Sequence, residues 1–118
     1  MTRFPRQVFD VGSEPDVRFT FANERTFLAW IRTALALLAG GVALEVLGLD
    51  LQHGFRLAAS LVLVITGTIT PILSWLSWVR SERALRLGQP LPASLLGPTL
   101  TVAVTAAGVC LILGIVLR

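Results

Sequence analysis

The chain has 118 residues, of which 54% are hydrophobic and 14% are charged, and its formal net charge is +3. A soluble domain of this size has a large surface for its volume and needs a polar exterior, which this composition does not supply. The composition therefore excludes an ordinary soluble domain and predicts an all-α membrane protein with three transmembrane helices.

The first 22 residues form a polar segment that is interrupted by Pro5, Gly12 and Pro15. They lack the apolar core of a secretory signal peptide, so we expect the first membrane helix to direct insertion. Aromatic and polar residues mix at 18–22, which is typical of a segment lying at a membrane interface. A disordered tail is the alternative, and the sequence leaves both open.

Residues 23–118 are predicted to form one three-span membrane domain. Its apolar runs are long enough to cross the hydrocarbon core at about 27–49, 57–79 and 97–117. Asn23 is the expected N-cap of the first helix, and Glu24 would lie in its first turn. Pro71 is expected to kink the second helix, because the proline ring removes one helical hydrogen bond.

The arginines are distributed unevenly about these spans. Most precede the first span or follow the second: Arg3, Arg6, Arg18, Arg25, Arg80, Arg83 and Arg86. Arg56 and Arg118 lie at the other end, and Arg32 lies within the first span. The positive-inside rule predicts a cytoplasmic N-terminus, and three spans then place the C-terminus outside.

Arg32 is the charge that most needs an explanation, because a charge inside a membrane helix is costly. It lies about 13 Å along the helix from Asn23 and, at about 100° per residue, shares a face with Arg25. Either Arg32 reaches towards the cytoplasmic interface, or both arginines face a polar cavity within the bundle or between subunits. The sequence leaves both alternatives open.

Three carboxylates are candidate charge partners: Glu24, Glu45 and Glu82. Glu82 is a feasible partner for Arg25 or Arg32, whereas Glu45 lies near the other end of the first span. Small residues are expected to allow close helix packing. The predicted packing positions are Ala36, Gly40, Ala43, Gly67, Ser74, Ala107 and Gly114.

The sequence carries no arrangement typical of an enzyme: no nucleophile paired with a base, no metal-ligand cluster and no glycine-rich phosphate loop. His53 lies in a short loop. Cys110 is the single cysteine of the sequence and lies in an apolar run, so no intrachain disulfide is possible. We therefore expect no catalysis, no metal, no cofactor and no nucleic-acid binding.

Residues 23–37, together with the stretch 82–92, resemble the signature of the YidH-like family. This family consists of small three-span bacterial inner-membrane proteins of unknown function, and the resemblance covers about residues 16–118. The same domain forms the membrane part of the fungal vacuolar transporter chaperone complex, which makes polyphosphate and moves it across a membrane.

The resemblance implies a homo-oligomer in the lipid bilayer, with Arg25 and Arg32 facing a pore for an anion such as phosphate or polyphosphate. It implies that Arg80 and Arg83 recruit anions at the cytoplasmic end of the second span. The alternative is a non-conducting membrane subunit that anchors, assembles or regulates a partner protein.

Overall fold

A computed structural model describes residues 4–118, which contain four helices and no strand. These are α1 Arg6–Phe9, α2 Val17–Val46, α3 His53–Leu87 and α4 Leu96–Val116. The last three are each long and apolar enough to cross a membrane. The predicted all-α membrane fold with three spanning helices is confirmed.

The α2 helix begins well before the predicted first span. Its N-cap is Asp16, whose side chain accepts a 2.9 Å hydrogen bond from the backbone N–H of Arg18. The prediction of Asn23 as the cap is therefore wrong, because the helix already begins at Val17 and the carboxylate of Asp16 caps it. Hydrogen bonds from the side chain and the backbone of Arg18 hold the pKa of Asp16 below its usual value.

Residues 4–16, here called the N-terminal strap, fold back over the end of α3. Val8 is fully buried there, and the N–H of Ser13 donates to the carbonyl of Arg86 at 3.1 Å. The expected polar segment 1–22 is thus divided between the strap and the first turns of α2. Its residues 1–3, and with them Arg3, lie outside the described residues.

The α3 helix lies between the other two spans. Both α2 and α4 pack against α3, and α2 and α4 make no close backbone contact with each other. With 35 residues, α3 is about 52 Å long, which exceeds the hydrocarbon core of roughly 30 Å. The ends of α3 therefore extend beyond the core, and one of them carries the strap.

Close approach of α2 and α3 depends on two glycines. A Cβ atom at Gly41 would lie 2.5 Å from Cγ2 of Val64 and 2.9 Å from the carbonyl oxygen of Ser60. A Cβ atom at Gly67 would lie 2.8 Å from Cγ of Leu38. In addition, the Ser60 hydroxyl donates a 2.7 Å hydrogen bond to the carbonyl of Gly41. The backbones can therefore meet only where side chains are absent.

The predicted packing residues have different surroundings. Gly67, Ser74, Ala107 and Gly114 are buried, and Gly40 and Ala43 are half-buried. Ala36 is exposed on the single chain, whereas the residues of α2 that are buried are Ala34, Leu37 and Gly41. The buried face of α2 is therefore not the face that holds Ala36.

Candidate functional site

Arg25 and Arg32 lie on the side of α2 that is turned away from α3. Arg32 is nine residues before the buried Gly41, which at about 100° per residue is half a turn around the helix. Both arginines are exposed, and within residues 4–118 neither side chain has a hydrogen bond or an ion pair. The exposed Ala29, Ala36 and Ala39 share this side, which we call the arginine face of α2.

Arg80 and Arg83 lie together in a different place. They line a cleft of about 180 Å³ with Gln89, Pro90 and Pro92 of the α3–α4 linker. Arg83 donates a 2.8 Å hydrogen bond to the carbonyl of Gln7 in the strap. The four candidate anion-facing arginines thus form two pairs, and the pairs do not converge within one chain.

Glu82 is buried, with 1% of its surface exposed, and its hydrogen-bond partners within residues 4–118 are neutral. It accepts hydrogen bonds from Nδ2 of Asn23 at 3.2 Å and from Oγ1 of Thr20 at 3.4 Å. Among the described residues, no arginine lies within ion-pair distance of this carboxylate. Glu82 was a feasible partner for Arg25 or Arg32, but no such pair forms within residues 4–118, because those arginines point away from α3.

Arg86 is a buried arginine whose role the sequence did not reveal. Its side chain is 5% exposed, and Nε donates to the carbonyl of Val11 at 2.8 Å. Nη2 donates to the carbonyl of Phe9, and Nη1 donates to Oε1 of Glu14, both at 3.1 Å. The guanidinium also lies 5.4 Å from the centre of the Phe9 ring. These partners are more than 70 positions away in sequence, so no local pattern indicated them.

Aromatic rings continue the contact between the strap and α3. The ring of Phe9 lies 6.4 Å from that of Trp78, and Trp78 stacks on Trp75 at 5.2 Å. The ring of Phe27 on α2 meets Trp75 edge-on at 6.1 Å. The strap, α2 and α3 are therefore joined by one group of rings next to the buried polar groups.

The opposite end of the molecule holds a second group of charges. Oε1 of Glu45 lies 3.8 Å from Nε of Arg56. Nη2 of Arg56 lies 3.3 Å from Nδ1 of His53, and Arg118 lies 3.8 Å from Asp50. Charges of opposite sign therefore lie close together at this end, although Nε of Arg56 is buried without a hydrogen-bond partner among the described residues.

The remaining candidate groups are isolated. Glu24 is exposed, and the described part of the chain gives it no hydrogen bond or ion pair. Cys110 is a half-buried free thiol. Residues 4–118 contain no group of three or more metal-ligating side chains.

Three apolar helices, with charges gathered at both ends, define an integral membrane protein that crosses the bilayer several times. Comparison with known proteins gives the family. Residues 18–84 match a domain of unknown function, DUF202, and the chain belongs to this family. This match includes α2 and most of α3, and therefore both Arg25 and Arg32.

Two relatives support this assignment. Over 84 residues the chain is 46% identical to the inner membrane protein YidH of Escherichia coli, covering 70% of this chain and 72% of the relative. Over 80 residues it is 51% identical to an uncharacterized protein of Mycobacterium tuberculosis, covering 67% of this chain and 66% of the relative. No solved structure matches the chain. The predicted YidH-like family and the multi-pass location in a bacterial inner membrane are confirmed.

Proposed function

We propose that the protein forms a homo-oligomeric membrane assembly in which the arginine face of α2 lines a vestibule or pore for anions. The observation that carries the proposal is that Arg25 and Arg32 point away from α3 and have no partner within residues 4–118. A charge in hydrocarbon is costly, so these groups need water, an anion or another chain. Copies of the chain that meet around α2 supply such an environment.

The small residues of the arginine face support the same arrangement. Ala29, Ala36 and Ala39 are exposed and allow another helix to approach closely. Arg32 lies roughly 10 Å further along α2 than Arg25, so a ring of chains would present two successive layers of guanidinium groups. Rings of arginine are one way in which pores favour anions.

A phosphate-rich anion is the ligand class that fits these groups best. The guanidinium group presents its N–H donors in a planar fork that matches phosphate oxygens two at a time. Phosphate and polyphosphate are therefore the first anions to test. The proposal assigns binding or transport to this protein, and it needs no catalytic group.

The arginine-rich end is placed in the cytoplasm by the positive-inside rule, so the vestibule opens there and the C-terminus lies outside. Arg80 and Arg83 lie at the same end and add to its positive potential. They do not line the vestibule, because they face the α3–α4 linker.

The test is anion flux in liposomes that contain the full chain. We expect phosphate or chloride gradients to drive flux, and Arg32→Ala to lower it about tenfold, which corresponds to about 1.4 kcal/mol. Arg118→Ala is the matched control, because it removes an exposed arginine from the opposite end of the molecule. Absence of flux from a well-assembled protein, under any anion gradient or voltage, contradicts the proposal.

A non-conducting subunit that holds a partner protein is the second candidate, and the same unpartnered arginine face favours it. A carboxylate on a partner helix would then neutralise Arg32. In that case Arg32→Ala lowers the amount of partner protein that copurifies, and the wild-type chain itself shows no anion flux. Chemical cross-linking of the wild-type chain distinguishes a ring of identical copies from a pair with a different protein.

A further inference from the structure

A groove of about 350 Å³ opens between α2 and α3 at the arginine-rich end of the molecule. Phe19 and Trp30 of α2 form one wall, and Leu91 of the α3–α4 linker forms the other. The floor contains Ser77 and Ser81 of α3. The groove therefore combines apolar walls with a hydroxyl-bearing floor.

Unused polar groups lie along this floor. Within residues 4–118, the hydroxyls of Ser77 and Ser81 make no hydrogen bond, and the guanidinium of Arg80 has no partner. Arg80 does not line the groove itself but a second pocket beside it, which shares Ser77, Pro92 and Ser94 with the groove. Three groups that can donate hydrogen bonds to an anion thus lie at one edge of an apolar space.

We propose that this groove binds a phospholipid with an anionic headgroup, and that Arg80, with Ser77 and Ser81, holds the lipid phosphate. The charge of the site is complementary to such a headgroup. Basic pockets between transmembrane helices bind anionic headgroups in this way. The acyl chains leave along the apolar walls that Phe19, Trp30 and Leu91 provide.

The position of the groove in the fold favours a lipid over a soluble anion. Because α2 and α4 make no close contact, the surface of α3 between them is open sideways to the bilayer. Trp30 lies in the groove wall, and tryptophan is enriched at the level of lipid headgroups. A volume of about 350 Å³ admits a headgroup and the first methylenes, and the remaining acyl chain stays in the bilayer.

This site is separate from the arginine face of α2. Trp30 lies on the half of α2 that is directed towards α3, whereas Arg25 and Arg32 lie on the opposite half. Arg80 therefore serves a bound lipid, and the proposed passage for anions uses other residues. Each site can be changed by mutation without altering the side chains of the other.

The test is lipid binding by the purified, delipidated full chain, measured by native mass spectrometry. The probes are phosphatidylglycerol and phosphatidylcholine with identical acyl chains. We expect the wild-type chain to prefer phosphatidylglycerol. Arg80→Ala should weaken that binding about tenfold, as expected for the loss of one charged hydrogen bond. Arg118→Ala, which removes an exposed arginine elsewhere, should leave it unchanged.

A second variant tests the groove itself. Ser81→Leu places a larger side chain in the floor and should weaken binding of both lipids, with unchanged circular dichroism and gel-filtration behaviour as evidence of folding. The proposal is overturned if Arg80→Ala retains phosphatidylglycerol as well as wild type does, or if both lipids bind equally to the wild-type chain. Displacement of phosphatidylglycerol by millimolar inorganic phosphate would show a soluble-anion site instead.

Occupation by a second copy of the chain is the other outcome that overturns the proposal. Ser81→Cys in a Cys110→Ala background provides a single thiol in the groove. Disulfide cross-linking between two such chains in liposomes would show that the groove is a subunit interface. Protection of this thiol by phosphatidylglycerol, and not by phosphatidylcholine, is the result expected for the lipid site.

Discussion

Arg86 and Arg32 lie on helices that pack against each other, and their surroundings are opposite. Arg86, at the end of α3, is 5% exposed and donates to two carbonyl groups of the strap and to Glu14. Arg32, within α2, is exposed, and residues 4–118 offer it no hydrogen bond or ion pair. The described part of the chain supplies partners to Arg86 and none to Arg32.

The difference shows that a guanidinium group away from water needs partners, and that the two arginines meet this need in different ways. A buried guanidinium is stable only if its N–H groups have partners, and the strap supplies these to Arg86. The same requirement applies to Arg32 in a membrane, where water is scarce. We therefore propose that Arg32 interacts with groups outside residues 4–118, whereas Arg86 has a structural role within them.

The largest expected effect comes from removing the satisfied arginine. Arg86→Ala removes the hydrogen bonds that the buried guanidinium donates to the carbonyls of Phe9 and Val11 and to Glu14, and should lower the free energy of unfolding by about 3 kcal/mol. Thermal unfolding in detergent, together with limited proteolysis of residues 4–16, measures this loss. Arg83→Ala is the control, because it removes one hydrogen bond, to Gln7, and should lower the unfolding free energy by about 1 kcal/mol or less. Equal effects would contradict the structural role of Arg86.

The next largest loss of stability is expected on the side of α2 that packs against α3. In Gly41→Ala the new methyl group meets Val64 and the Ser60 carbonyl, so α2 must move away from α3. We expect a loss of about 1–3 kcal/mol in the free energy of unfolding, measured by thermal or denaturant unfolding. Gly108→Ala is the matched control, because nothing lies within 4 Å of a Cβ atom there. A destabilised control with an unaffected Gly41→Ala would place the α2–α3 contact elsewhere.

Changing the unpartnered arginine should have little effect on the fold. Arg32→Ala removes no contact within residues 4–118 and should change the unfolding free energy of the monomer by about 0.5 kcal/mol or less. Thermal unfolding of the monomer in dilute detergent checks this. If Arg32→Ala lowered the unfolding free energy as much as Arg86→Ala, Arg32 would have a partner inside its own chain. The contrast between the two arginines would then be wrong.

The smallest effect is local and depends on pH. The pKa of Asp16 is lowered in the folded chain, so its contribution is fully present above the ordinary aspartate pKa, near 4. It is lost as the pH falls through the lowered pKa. Hydrogen-exchange protection of the Arg18 N–H should therefore decrease as the pH falls below the ordinary aspartate pKa. In Asp16→Ala this protection should be weaker at neutral pH and lack the same pH dependence.

Much of the fold could be predicted from the sequence, because apolar runs of membrane length are visible without a structure. The shared face of Arg25 and Arg32 also followed from helical periodicity. The start of α2 was placed too late, because aromatic residues before Asn23 continue the helix and Asp16 caps it. The hydrogen-bond partners of Glu82 could not be predicted, because they depend on which side of α2 packs against α3.

By itself the sequence determined the family, the membrane location and the three spanning helices, since these follow from hydrophobic length and from a local motif. Only the tertiary structure decided which small residues of α2 are buried. Both sides of that helix carry alanine or glycine, and periodicity does not distinguish them. The structure also brought Arg86 to the strap, more than 70 positions away in sequence. Such contacts depend on where the chain folds back, and that is a property of the packed molecule.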